Sequence, residues 1–366
     1  MKTLNLIASL LAVAATALAA PAPAHKEPPK PTLTVGDPAP KLQVSKWAQG
    51  DPVPELAPGQ AYIVEFWATW CGPCRFSIPH VNDLHQKFKD RGLTVIGQNV
   101  WERKIEGVAP FLKKMSDRMT YRIALDDVPP GEKAQGKMAQ TWMIASGQDG
   151  IPSAFLVDKK GVIAWIGHPM ELKTTMIEQV LAGTFDLKQS AAAHEKELAA
   201  RPQLRALSGQ LGASLRSNDW AKAETVVDEM LKLENESGRN SLVSVRMKIL
   251  GSQGQAPAAY KLAANVSDAV PDDGLMQMII ARELVSNPDF KDRDLALAEK
   301  IATRANASTK GAEPAVLDLM ARVTFMQGKK DQAIAFQEKA INLADDPMKP
   351  RLQQALDSYK AGQLPK

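Results

Sequence analysis

The spacing of apolar side chains changes character near residue 187. Ahead of that point, short apolar runs alternate with helical ones. Ala61–Trp67 (AYIVEFW) is apolar except for one acid and predicts a buried strand. Ile78, Val81, Leu84, His85 and Phe88 recur at helical spacing and predict a helix over Cys74–Lys89. Leu93–Val100 predicts a second strand, Val108–Met115 a helix that tolerates Pro110 in its first turn, and Thr120–Leu125 a third strand. After the turn Pro129-Pro130-Gly131, Ala134–Ala145 is expected to be helical. Ser153–Val157 and Val162–Ile166 predict strands joined by the turn Asp158-Lys159-Lys160-Gly161, and Glu171–Ala182 a closing helix. The order β-α-β-α-β-α-β-β-α over residues 33–187 describes a mixed sheet with helices on both faces.

From residue 188 the strand signal stops. Residues 188–200 are expected to form a linker helix and 201–366 an all-α helical-repeat domain. Ala223, Ala259, Ala298 and Ala333 recur at intervals of 36, 39 and 35 residues. Three positions after each stands Val226, Leu262, Ile301 or Phe336, and seven after, Met230, Val266, Ala305 or Ala340. Partner helices are expected over 201–217, 239–252, 275–286 and 314–327. Helix pairs near this period point to an α-solenoid; the scatter in the intervals keeps a plain helical bundle as the alternative.

The first residues read as an address. Lys2 precedes an apolar stretch, Leu6–Leu18, interrupted only by Ser9 and Thr16. It falls short of the ~20 residues that cross a bilayer. Ala17-Leu18-Ala19 and Ala22-Pro23-Ala24 fit a small-residue cleavage site, so residues 1–20 are expected to be a secretory signal peptide. Residues 21–32 are a proline-rich leader, with Pro21, Pro23, Pro28, Pro29 and Pro31. No later run reaches membrane-spanning length. The mature chain is expected to be exported, to a bacterial periplasm, where cysteines are typically paired or redox-active.

Composition narrows the function classes. The 366 residues are 45% hydrophobic and 23% charged, an ordinary globular balance. A net charge of +4, from 45 basic and 41 acidic side chains, gives no argument for nucleic acid. Two cysteines exclude a disulfide-stapled miniprotein and a four-thiolate zinc site.

Those two cysteines carry the chemistry. Trp70-Cys71-Gly72-Pro73-Cys74 sits where the apolar strand gives way to a helix. Thiols at i and i+3 of a regular helix stand ~5–6 Å apart at Cβ, more than the ~3.5–4.5 Å a disulfide needs. Placing Cys71 at the helix entrance closes that gap. It also sets the sulfur among unpaired N–H groups, which favours the thiolate. Pro73 comes early enough to cost the helix no hydrogen bond, and Gly72 lets a substrate backbone approach. A zinc half-site and a permanent structural disulfide remain as alternatives. The first lacks its remaining ligands, and the second gains little from so short a loop. Glu65, the one charge in the buried run Ala61–Trp67, is costly there unless protonated or paired.

The stretch Glu65-Phe66-Trp67-Ala68-Thr69-Trp70-Cys71-Gly72-Pro73-Cys74-Arg75, followed by Pro79, resembles the active-site signature of the thioredoxin superfamily. Val35-Gly36-Asp37-Pro38-Ala39-Pro40 resembles the opening of the periplasmic TlpA/ResA-type reductases. Gly150-Ile151-Pro152-Ser153-Ala154-Phe155-Leu156-Val157-Asp158, with Gly161 and Gly167, resembles their cis-proline strand and closing hairpin. The resemblance covers about residues 33–187. It implies a thioredoxin-like α/β fold, with Cys71 as an exposed attacking thiolate and Cys74 as the buried resolving thiol. Pro152 would be cis, turning the Ile151 backbone toward a substrate strand, and Trp70 would line the rim. Glu65 matches the buried acid of thioredoxins, suited to relaying the Cys74 proton; an edge-of-core salt bridge is its other reading. Many TlpA/ResA-type enzymes carry an acid two residues before the helix proline, where this chain has Ser77; Glu65 is expected to take over part of that role. Separately, Gly328-Lys329-Lys330-Asp331-Gln332-Ala333-Ile334, with Ala340 and Pro347, resembles the tetratricopeptide repeat.

The expected function is an exported thiol-disulfide oxidoreductase that reduces protein or peptide disulfides. It would need no cofactor beyond the Cys71–Cys74 pair and no metal, would be reloaded by an unidentified electron donor, and would offer its helical repeats to a protein partner. A repeat-based interaction scaffold with an incidental redox pair is the alternative from another class. An oxidant or isomerase would keep the enzyme class and reverse the flow. Gly72-Pro73, the thioredoxin dipeptide, points to a reductant.

Overall fold

A computed structural model describes residues 30–131 and 135–365. The expected signal peptide and nearly all of the proline-rich leader lie outside the described residues. Six strands form one sheet: β1 (Val44–Gln49), β2 (Ala61–Trp67), β3 (Leu93–Asn99), β4 (Arg122–Asp126), β5 (Ser153–Val157) and β6 (Ile163–Gly167), in the order β1-β4-β3-β2-β5-β6. β2, β3 and β4 run parallel, while β1, β5 and β6 pair antiparallel. Around the sheet lie α1 (Gly72–Phe88), α2 (Val108–Lys114) and α3 (Thr174–Ala182).

Every residue of β2 is buried, as expected of a central strand covered on both faces. Side chains alternate between the faces with a period of two. Ile63 and Trp67 join the apolar layer that holds Cys74, Ile78 and Val81 of α1. Tyr62, Val64 and Phe66 enter the opposite layer, with Trp142 and Phe155. Glu65 shares its parity with Ile63 and Trp67 and therefore faces α1.

The structure departs from the sequence reading at three places, the first with a plain cause. β1 was absent from it, because VSKWAQ on the sheet's outer edge is only partly buried and shows no clean alternation. The helix expected over 134–145 contains a wide turn at Ala139–Ile144, and Ala134 itself lies outside the described residues. The helix expected from Glu171 opens as a 3-10 turn, Pro169–Glu171, and becomes α3 at Thr174.

The remainder is helical: α4 (Leu187–Arg216), α5 (Trp220–Leu233), α6 (Glu236–Ser241), α7 (Val243–Ser252), α8 (Ala256–Ala269), α9 (Gly274–Ser286), α10 (Leu295–Ser308), α11 (Pro314–Met326), α12 (Lys330–Leu343) and α13 (Lys349–Lys360). Aspartates start many of these helices. Asp186, Asp219, Asp273 and Asp294 each accept a backbone N–H three residues on, the N-cap bond that satisfies an otherwise orphaned donor. Ala223, Ala259, Ala298 and Ala333 are all fully buried. α4 is one 30-residue helix that takes in both the stretch read as a linker and the first partner helix, with Pro202 inside it.

The two parts pack together within one compact unit, Pro31–Lys366. The first turn of α1 makes much of the seam. Phe76 is buried in the apolar layer built by α7 to α11. Arg75 reaches Glu313 at 3.2 Å and Asp345 at 2.7 Å, and Lys114 of α2 meets Asp345 at 2.5 Å.

Candidate active site

The site is assembled where β2 ends. Its last residue, Trp67, hands the chain to Ala68-Thr69-Trp70, which is pinned from the side by the loop after β3. Glu102 in that loop accepts the Thr69 N–H at 2.9 Å, the Thr69 hydroxyl at 2.8 Å and the Asn99 amide at 3.1 Å. The Trp70 indole N–H donates to the Trp101 carbonyl at 2.9 Å, and the Arg103 guanidinium lies 4.4 Å above the Trp70 ring. Trp101 takes a left-handed φ of 52°, uncommon for a bulky residue. Trp70 remains 41% exposed at the rim.

Cys71 is the N-cap of α1. Its Sγ accepts the Cys74 N–H at 3.2 Å, and Pro73 lies within the first two positions of the helix. The two cysteines are joined in a disulfide with Cα atoms 5.3 Å apart, inside the usual bonding range. The Ile151–Pro152 peptide is cis and sits opposite. The Ile151 carbonyl oxygen lies 3.6 Å from the Cys71 sulfur. In the disulfide that sulfur carries no hydrogen, so this is an approach and not a hydrogen bond.

Sequence-expected residues from two places in the chain, Trp70 to Cys74 and Ile151-Pro152, therefore meet at the disulfide, while Glu65 lies beside Ser77 of α1. One expectation needs correction. Cys71 was to be exposed, yet it is only 3% exposed, against 0% for Cys74. As N-cap its sulfur turns back toward the helix N–H groups and its partner sulfur, and the Ile151 carbonyl approaches it.

The comparisons agree with this geometry. The Redoxin family model matches residues 34–181. Protein FixW of Rhizobium leguminosarum is 29% identical over 210 residues, covering 56% of this chain and 94% of that protein. Thiol-disulfide oxidoreductase ResA of Bacillus cereus is 29% identical over 132 residues, covering 34% of this chain and 68% of that protein. Thiol:disulfide interchange protein HelX of Rhodobacter capsulatus is 32% identical over 161 residues, covering 43% of this chain and 82% of that protein. The chain belongs to the Redoxin family. It is a thiol-disulfide oxidoreductase of the ResA and HelX type with a close cysteine pair.

The electrostatics of this oxidoreductase centre on Glu65, which is fully buried. Burial pushes its carboxyl up to about 8, with the Tyr121 and Ser77 hydroxyls opposing the shift. Tyr121 donates to one carboxyl oxygen at 3.2 Å, and the other oxygen has no hydrogen-bond partner. Among the described residues no cation pairs with Glu65, so the salt-bridge reading finds no support. Gly97, opposite Glu65 in β3, leaves the space that Tyr121 occupies: a Cβ there would stand 2.8 Å from the Tyr121 ring. Ser77 lies beside Glu65 and donates its hydroxyl to the Cys74 carbonyl oxygen at 3.1 Å.

Sequence reasoning missed Glu102, Arg103 and Tyr121. Nothing in their spacing marks them: Glu102 and Arg103 come from the loop after β3, and Tyr121 stands immediately before β4. A lone tyrosine ahead of an apolar strand was the one available cue for Tyr121. Among the described residues, no group of three or more His, Cys, Asp or Glu side chains could hold a metal ion.

Proposed function

We propose that the protein is an exported reductase of protein disulfides, working in the periplasm. Cys71 as thiolate attacks a substrate disulfide, forming a mixed disulfide and releasing one substrate thiolate, which takes a proton from solvent. The Glu65 carboxylate accepts the Cys74 proton, and the Cys74 sulfur then attacks the Cys71 sulfur. The second substrate thiolate leaves, and the Cys71–Cys74 disulfide remains. Two electrons pass to the substrate, and a separate, unidentified donor returns them. The Ile151–Pro152 strand holds the substrate backbone as an added strand. Trp70, Gly72 and Pro73 form the rim over which it lies. The helical repeats, tetratricopeptide-like in their last unit, offer a surface for a protein partner.

The observation carrying this reading is the Cys71 sulfur at the helix start, held between the Cys74 N–H at 3.2 Å and the Ile151 carbonyl at 3.6 Å. Helix-end N–H groups stabilise a thiolate, and a free carbonyl beside it is where a substrate strand would pair. Insulin reduction by the full chain tests it. Cys71→Ser is expected to abolish turnover, and Cys74→Ser to accumulate mixed disulfides with the substrate. Full activity in Cys71→Ser would overturn the assignment.

A further inference from the structure

A pocket whose lining includes neither cysteine lies between β6, α3, α4 and the end of α5. Its volume is about 580 Å³, and its lining includes Trp165, Phe185, His194, Glu197, Leu233 and Glu234. His194 is 4% exposed, yet neither ring nitrogen has a hydrogen-bond partner. Buried polar groups are almost always partnered, so an imidazole with both nitrogens unpartnered in a cavity wall has hydrogen-bonding capacity to offer a ligand. The surrounding charge says which kind. Glu234 is the C-cap of α5, where the helix dipole already presents its negative end. Its carboxyl is pushed up by burial and then by the Glu197 carboxylate, and among the described residues no cation pairs with it. Glu197 has Arg201 at 3.0 Å on its own helix, and Lys196 is the one basic side chain of the lining. Trp165 and Phe185 add aromatic faces, which attract cations.

We propose that this pocket binds an organic cation, a primary amine or guanidinium on an apolar stem. The charged head would donate to Glu234, to Glu197 and to the acceptor nitrogen of His194, with the stem against Trp165, Phe185 and Leu233. The same chemistry is offered by a free amine and by a lysine or arginine side chain of a peptide. The inference does not depend on the redox reading.

The test is a titration of the isotope-labelled full chain, following the His194 ring nitrogens by NMR. The probes are hexylamine, the neutral control hexanol, and an acetylated and amidated Leu-Lys-Leu peptide. Hexylamine is expected to shift the His194 signals saturably and hexanol far more weakly. Glu234→Gln removes a charge-assisted bond and should weaken amine binding about tenfold or more. Glu197→Gln is a second variant with the same expected direction, and thermal melts report whether each folds. Saturation by the peptide but not hexylamine would support the proposal and assign the site to a partner's side chain. Saturation by both would support it and assign it to amines generally. Absence of a saturable shift with either, equal binding of hexanol, or insensitivity to both glutamate substitutions would overturn it.

Discussion

Replacing Glu65 by glutamine should remove a pH dependence of stability that the wild-type protein carries. The ordinary glutamate value is 4.5, and burial raises it to about 8 in the fold. The unfolded chain thus releases this proton first as pH rises, and the folded state binds more protons in between. Stability from this group is fully present below the unfolded value and is lost as pH rises through the folded one. With those two values the linkage relation gives a loss of about 3.5 kcal/mol between about pH 5 and pH 8. Tyr121 keeps its proton throughout this window, since its own ionisation is pushed further up by burial and by Glu65. The assay is urea unfolding of the oxidised protein across this range, so that no cysteine titrates. His80, His85, His168 and His194 are held below their ordinary value by burial and act in the opposite sense over the same window, so Glu65 is read from the difference between wild type and Glu65→Gln, which should fall by this amount. A difference that stays flat or rises between pH 5 and pH 8 would refute the account of Glu65 as an unpaired, desolvated acid.

Three further outcomes follow from the geometry. Arg75→Met leaves the buried Glu313 carboxylate without its cation, while Asp345 keeps Lys114; a loss of ~3–5 kcal/mol in denaturant unfolding is expected. Adding Glu313→Gln to Arg75→Met should recover much of that loss, which a double-mutant cycle measures directly. Gly97→Ala places a Cβ 2.8 Å from both Ile123 and Tyr121, so a cost of ~1–3 kcal/mol is expected in thermal or urea unfolding.

Much of the α/β part was legible because local chemistry and tertiary fate agree there. Ala61–Trp67 is strand-forming and wholly buried, so its pattern predicts β2 residue for residue. The cysteine pair was legible because its chemistry is confined to four consecutive positions. β1 was not, since an edge strand with one wet face shows little periodicity. The burial of Cys71 was not either, because it depends on Ile151, eighty residues away. Arg75 and Glu313 are 238 residues apart, and an ion pair across such a distance leaves no mark in composition or spacing. The same holds for the pocket at His194, whose walls come from β6, α3, α4 and α5 together.

Arg75 and Phe76 follow Cys74 directly, and this constrains engineering. A fragment ending near residue 187 would present to water a phenylalanine that the full chain buries among α7 to α11, and an arginine stripped of both its carboxylates. The catalytic half is therefore not a cassette that can be lifted out or grafted onto another array unchanged. A workable transplant would have to redesign the first turn of α1, the same turn that carries Cys74.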